Sequence, residues 1–231
     1  MRDLEIDHLL IAAPDLQSGS DFVKQQLSVA PVTGGVHPGM GTRNALLGLG
    51  DDSYLEVIAP DPLQSPELAM SAFLAGLESP ALMWWAVRCA ALDQVEIRVR
   101  QLGLNIVSKQ PWSRSLPDGS ELHWRVLLAE AEDLGSALPF FIEWQDMSMH
   151  PARNLPAAGK LSSMQITHPN AGQLQAILGT DLNPILRVSN TECATLQVEI
   201  DTGRRVVPLM TPAHFPPGLG TIVRRNMESK R

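Results

Sequence analysis

Glu56 sits between Leu55 and Val57 in the run Tyr-Leu-Glu-Val-Ile of residues 54–58. An unpaired buried charge is too costly to keep, so this carboxylate needs a partner or a task. The tasks open to it are binding a cation and moving a proton. His8 stands in a second apolar run, Leu4 to Ala13. Strand alternation puts His8 with Ile6, Leu10 and Ala12 on one face, and Asp7, Leu9 and Ile11 on the other. An imidazole in that setting is a satisfied core residue, a ligand or a base. Between the two runs lies the polar loop His-Pro-Gly-Met-Gly-Thr-Arg-Asn of residues 37–44. Its glycines permit close backbone approach. Arg43 offers a planar fork for a carboxylate or phosphate; the plainer reading is a surface turn with Arg43 solvated or paired to Asp51. Further along, His123 and Arg125 share a face of the run Glu121 to Ala129, and Glu143 faces the same way as Phe141 and Gln145.

The elements that must carry these residues repeat. Leu4–Ala13 reads as a strand, ended by Pro14 and followed by a helix to about Leu27 that Asp15 caps. Pro31–Val36, Ala45–Leu49 and Tyr54–Ile58 read as three more strands, the last two joined by the turn Gly50-Asp51-Asp52-Ser53. Ser65-Pro66 starts a connector helix that Gly76 ends. The pattern then restarts with a strand over Ala81–Cys89, a helix carrying Leu92, Val95, Val99 and Leu102, and strands over Ile106–Lys109, Glu121–Ala129 and Pro139–Gln145. Phe-Ile-Glu-Trp of residues 141–144 echoes Tyr-Leu-Glu-Val. The expected organisation is α+β. A βαβββ module spans 1–60, a connector 61–80 and a second module 81–150. A smaller βαβββ-like unit, 151–231, ends in a frayed tail. The paired modules form a curled mixed sheet around a cleft.

Composition narrows the partners. The chain has 231 residues, 44% hydrophobic and 19% charged, with a formal charge of −7. That balance argues against nucleic acid or an anionic membrane as partner. The longest apolar run, Ala81–Val87, is too short to span a bilayer. Two distant cysteines, Cys89 and Cys193, fit reduced thiols and a cytoplasmic setting.

Several motifs together resemble the vicinal oxygen chelate superfamily, and within it the glyoxalase-like domain group. They are Ile-Asp-His-Leu-Leu-Ile-Ala-Ala-Pro-Asp-Leu of residues 6–16, Gly-Thr-Arg-Asn-Ala-Leu of 41–46, Tyr-Leu-Glu-Val-Ile-Ala-Pro of 54–60, Phe-Ile-Glu-Trp, and His150-Pro151 ahead of Gly159-Lys160-Leu161. The resemblance covers residues 4–178. It implies paired modules around one cleft, with a divalent metal (Mn, Fe, Zn, Ni or Mg) held by first and last strands. Carried over residue by residue, His8, Glu56 and Glu143 become the ligands, and Glu56 alternatively the proton-transfer base. The first strand of the second module departs from the pattern: Met83-Trp84-Trp85-Ala86 supplies no ligand. His37 or His123 would then complete the set, and Trp84 and Trp85 would wall the cleft. With His37, Arg43, Asn44, His123 and Arg125, the two tryptophans make up the expected substrate contacts.

The resemblance points first to a metal-dependent lyase or isomerase acting on a small α-hydroxy carbonyl metabolite. A metal-free protein that sequesters a small molecule is the alternative, with ring-cleaving dioxygenase chemistry behind it. In a third reading the cleft is filled and the C-terminal unit is an interaction module. The expected partner is a small molecule, with homodimer formation left open.

Overall fold

The computed structural model describes residues 4–50, 53–115, 121–131, 133–179, 184–214 and 216–228. The Asp51-Asp52 turn, part of the polar loop before Ser120 and the last three residues of the tail lie outside them.

The first module runs β1 (Leu4–Ala12), α1 (Leu16–Leu27), β2 (Val32–His37), β3 (Thr42–Gly48) and β4 (Tyr54–Pro60). A short helix α2 (Ala69–Ala75) follows. The second module repeats the order as β5 (Ala81–Cys89), α3 (Leu92–Gln101), β6 (Asn105–Ser115), β7 (Glu121–Glu130) and β8 (Phe140–Trp144). All eight strands form one mixed sheet in the order β2-β3-β4-β1-β5-β8-β7-β6. The two halves meet where β1 and β5 pair antiparallel, with His8 opposite Ala86. In each half the first strand runs parallel to the last: His8 pairs with Tyr54, and Ala86 with Phe140. This register defines an approximate two-fold through the β1–β5 seam, under which His8 corresponds to Ala86, Tyr54 to Phe140 and Glu56 to Ile142.

The two faces of the sheet are different. On one, α1, α3 and the C-terminal unit pack over Leu9, Ile11, Leu47, Val57, Trp85 and Phe141 in the main core. Asp15 caps α1 as the sequence predicts, accepting a hydrogen bond from the Ser18 N–H. The other face curls into a cleft floored by Leu10, Ile58 and Ile142.

β1 carries an irregularity that alternation alone misses. Ile6 pairs with Val87 and His8 with Ala86, so Asp7 is an extra residue in the strand. Such a bulge shifts the phase of everything before it. Ile6 therefore joins the main core with Leu9 and Ile11 rather than sharing the face of His8 and Leu10. Asp7 becomes fully buried beside His8.

The C-terminal unit has β9 (Lys160–Thr167), α4 (Ala171–Leu178), β10 (Leu186–Ser189), β11 (Thr195–Asp201) and β12 (Val206–Met210). Its element order matches the modules but its wiring does not. The sheet order is β10-β9-β11-β12, so its first strand runs parallel to the second rather than to the last. The segment after Pro216 is also more ordered than a frayed tail. It forms α5 (Leu219–Glu228), which lays Ile222 and Val223 against α2 and β7 at one end of the cleft. No helix among the described residues is long and apolar enough to cross a membrane.

The two thiols have opposite environments. Cys193 is exposed, whereas burial, reinforced by the negative charge of Glu143, pushes the Cys89 thiol up to about 12. Thiolate is the reactive form. A disulfide reagent at pH 8 is therefore expected to modify Cys193 rapidly in the native protein and Cys89 only after denaturant is added. Equal rates would contradict this packing.

Candidate functional site

The cleft holds a cavity of about 160 Å³. Most of its wall is apolar or aromatic, with Phe140, Trp112, Trp124 and Trp144 prominent. Its ionisable groups among the described residues come from the first module, where alternation points His8, Asn44 and Glu56 inward from β1, β3 and β4, with His37 at the end of β2.

Asn44 is the hinge of that polar cluster. Its Oδ1 accepts the Gly35 N–H at 2.7 Å, which fixes the amide orientation. Its Nδ2 donates to Glu56 Oε1 at 2.9 Å and reaches His37 Nε2 at 3.3 Å. His37 Nε2 is therefore the accepting nitrogen, and Nδ1–H donates to Thr42 Oγ1 at 2.8 Å. Glu56 Oε2 is left facing His8 Nε2 at 3.5 Å. The His8 ring is stacked on Tyr54, centroids 4.5 Å apart, with the edge of Phe140 on another side.

Behind His8 lies a second network. His8 Nδ1 meets Asp7 Oδ1 at 2.6 Å. Asp7 Oδ2 accepts from Trp144 Nε1 at 2.8 Å and meets His150 Nε2 at 3.1 Å. His150 Nδ1 accepts the Ala152 N–H, so His150 Nε2 carries the hydrogen and donates to Asp7. Burial by itself would raise the Asp7 pKa. The hydrogen bonds from His150 and His8 outweigh it and hold the carboxyl far below the usual carboxylate range. Asp7 is thus an anion, and His8 must present Nδ1–H to it. Nε2 of His8 then faces Glu56 and the cavity.

Strand alternation placed Asp7 on the opposite face from His8, and His150 drew notice only as part of the His150-Pro151 motif. The structure buries both completely. The signal was available: Asp7 is a carboxylate inside an apolar strand, as demanding of partners as Glu56.

Other expected site residues lie elsewhere. Glu143 does not line the cavity. Cleft-facing positions of β8 are Phe140, Ile142 and Trp144, and Glu143 lies on the helix side, where it pairs with Arg125 at 2.6 Å. The echo between Tyr-Leu-Glu-Val and Phe-Ile-Glu-Trp is one residue out of phase with the register, and a one-residue slip changes face. Arg125 also reaches Asp93 on α3, while His123 is half-exposed and pairs with Glu121 at 3.1 Å. Arg43 alternates with the inward Thr42 and Asn44, so it lies behind the sheet, where its charge adds to the Ser18 hydrogen bonds that lower Asp15 and the Gln64 hydrogen bond that lowers Asp61. Its Nε is buried without a hydrogen-bond partner. Trp84 and Trp85 are both fully buried. Trp84 Nε1 donates to the Pro217 carbonyl under the C-terminal segment, and Trp85 Nε1 to the Ala137 carbonyl in the core. Neither reaches the cavity.

These placements bear on the expected metal. The resemblance implies three protein ligands, the number usual at a catalytic zinc. His8 with Asp7 behind it has the form of a metal-binding imidazole with its supporting carboxylate, and Glu56 is adjacent. The two-fold equivalents in the second module are Ala86 and Ile142, which offer no donor. His37 Nε2 lies 3.8 Å from Glu56 Oε1 but is engaged by Asn44. Among the described residues no three His, Cys, Asp or Glu side chains are grouped to hold a metal ion. The donor set therefore does not fit a resident metal of the expected kind.

The fold has known counterparts. A hypothetical protein from Staphylococcus aureus superposes with a TM-score of 0.62 at 14% identity, over 83% of this chain and 88% of that one. Methylmalonyl-CoA epimerase of Streptomyces coelicolor, a variant bound to 2-nitronate-propionyl-CoA, gives 0.46 at 22% identity over 62% and 98%. The epimerase of Mycobacterium tuberculosis gives 0.44 at 21% over 61% and 86%. Curated protein sequences contain no significant match. The glyoxalase-like domain pattern matches residues 6–182. With that match and the doubled βαβββ sheet, the chain belongs to the glyoxalase-like domain family of the vicinal oxygen chelate superfamily.

Proposed function

We propose that the chain is a proton-transfer enzyme, an isomerase acting on a small α-hydroxy carbonyl compound. One observation carries this reading: Glu56 Oε2 and His8 Nε2 stand 3.5 Å apart at the polar end of an otherwise apolar cavity. A carboxylate and an oriented imidazole within reach of adjacent substrate atoms are the pair that such chemistry needs.

The steps balance without a further reagent. Glu56 takes the proton from the hydroxyl-bearing carbon, and that C–H electron pair forms the carbon–carbon double bond of an enediolate. Nε2 of His8 accepts the proton of the original hydroxyl and returns it to the former carbonyl oxygen. Protonated Glu56 then delivers its proton to the neighbouring carbon, and the carbonyl has moved by one position. Asp7 keeps His8 in the tautomer that this shuttle requires, and Asn44 holds Glu56 Oε1 so that Oε2 faces the cavity. No step is routed through a metal, since His8 and Glu56 alone fall short of the three protein ligands usual at a catalytic zinc.

The test is hydrogen–deuterium exchange in D₂O, followed by proton NMR, with 2-hydroxy-1-phenylethanone and hydroxyacetone as probes. Exchange at the carbon next to the carbonyl is expected, unchanged by chelator, in protein with well under one equivalent of metal. Exchange abolished by chelator and restored by a stoichiometric divalent ion would overturn the metal-free mechanism. The aromatic walls also favour a second reading, a sequestering binding protein. Tight probe binding with no exchange would move the assignment there.

A further inference from the structure

We infer that the cleft selects an uncharged, aryl-bearing ligand and rejects anions. The inference deepens the reading above by naming the substrate class, and it rests on that reading only for the word substrate. The cavity lining contains no lysine and no arginine among the described residues. Glu56 is the one acidic side chain in the described lining, and a second anion, Asp7, sits directly behind His8. The two arginines that would have suited a carboxylate or phosphate are committed elsewhere. Arg43 lies behind the sheet toward Asp15 and Asp61, and Arg125 is bound to Glu143 and Asp93.

The tautomers sharpen the point. His8 Nδ1–H is used by Asp7, and Asn44 Nδ2 is used by Glu56 and His37. What Glu56 and His8 turn toward the cavity is a carboxylate oxygen, with the imidazole Nε2 3.5 Å away. A ligand head that donates hydrogen, such as a hydroxyl, complements that oxygen. A carboxylate or phosphate head brings a like charge beside Glu56, with no lysine or arginine in the described lining to offset it.

The remainder of the cavity sets the tail. Trp112, Trp124, Trp144 and Phe140 present ring faces and edges. Trp124 and Trp144 lie with centroids 5.4 Å apart, and Trp112 stands edge-on to His37 at 6.4 Å. Such walls favour a flat ring. One water needs roughly 10–15 Å³ on this volume measure, so the cavity of about 160 Å³ admits on the order of ten heavy atoms. A phenyl ring with a two-carbon hydroxy ketone has that size.

The experiment is calorimetric titration of the full chain with 2-hydroxy-1-phenylethanone and with mandelate, which carries the same ring on a carboxylate. Wild type and Glu56→Gln are compared. The neutral ketone is expected to bind wild type roughly tenfold or more tightly than mandelate. The gap should narrow in Glu56→Gln, because the variant removes the repelling charge and keeps the shape. Equal or tighter binding of mandelate overturns the inference, as does failure of both probes to bind. Selective binding of the ketone without proton exchange leaves the ligand class standing and removes the proton-transfer reading. Exchange on acids in preference to neutral ketones does the reverse.

Discussion

Replacing Asp7 by asparagine is expected to destabilise the chain by about 3–5 kcal/mol and to remove proton exchange together with it. Three hydrogen-bond donors converge on this carboxylate, from His8 Nδ1, Trp144 Nε1 and His150 Nε2. Asparagine keeps the shape but puts an amide NH₂ where one oxygen stood, so donor meets donor at a fully buried site. One relief is open to the structure. His8 changes tautomer, accepts at Nδ1 and presents Nε2–H toward Glu56. That fixes the cavity-facing nitrogen as a donor, and the imidazole loses its capacity to take the substrate proton. A wrong tautomer of this kind can cost about 10⁴ in rate.

The sign of the pH dependence follows from the depressed Asp7 pKa. A carboxyl with a lowered folded pKa contributes stability that is fully present above its unfolded value, about 3.9, and is lost as pH falls toward the folded value. The stability gap between wild type and Asp7→Asn should therefore be constant near neutrality and shrink only below about pH 4. Urea unfolding of both proteins at pH 7 and pH 3 measures this. A gap under 1 kcal/mol at neutral pH, where ordinary surface changes lie, would show that the network is not a stability centre.

The same network shows what sequence can and cannot disclose here. Period-two alternation placed Glu56 and the strand around it correctly, because β4 is regular from Tyr54 to Pro60. Asn44 and His37, read in the sequence as a polar loop, reach that carboxylate because β3 begins at Thr42, opposite His37, and pairs with β4 in unbroken register. Alternation failed at Asp7, because a bulge is a property of pairing between strands and leaves no period in one strand. It failed at Glu143 for a related reason. The match of letters between β4 and β8 ignored the register, which sets Glu56 against Ile142. Distance in sequence hid His150, which lies 143 positions from Asp7. Trp84 and Trp85 were assigned to the cleft because tryptophan is common in binding walls. Their N–H groups instead meet the carbonyls of Pro217 and Ala137, both far away in the chain. Of the tryptophans that do line the cavity, Trp124 and Trp144 alternate with His123, Arg125 and Glu143, the residues that first drew notice in the same strands.

Glu56→Gln is the variant with the largest expected separation between function and stability. Glutamine can keep the hydrogen bond from Asn44 Nδ2 at its Oε1, now 2.9 Å long. Its NH₂ then points at His8 Nε2, 3.5 Å from the replaced oxygen, and donates to it when His8 is in the neutral form that the proposed shuttle uses. A buried charge is removed at the same time. Stability should hold or rise, with any change within about 1 kcal/mol. Proton exchange should fall by about 10²–10⁴, the contribution of a positioned base. The pairing of those two results carries the meaning. A structural role for Glu56 would show as lost stability with proportionate loss of exchange. A role as base shows as lost exchange in a protein that unfolds at the same or higher denaturant concentration. Full exchange retained in Glu56→Gln would transfer the task to His8 alone, with its Nε2 as the sole base at the cavity. Then His8→Gln in place of Glu56→Gln would be the variant that silences it.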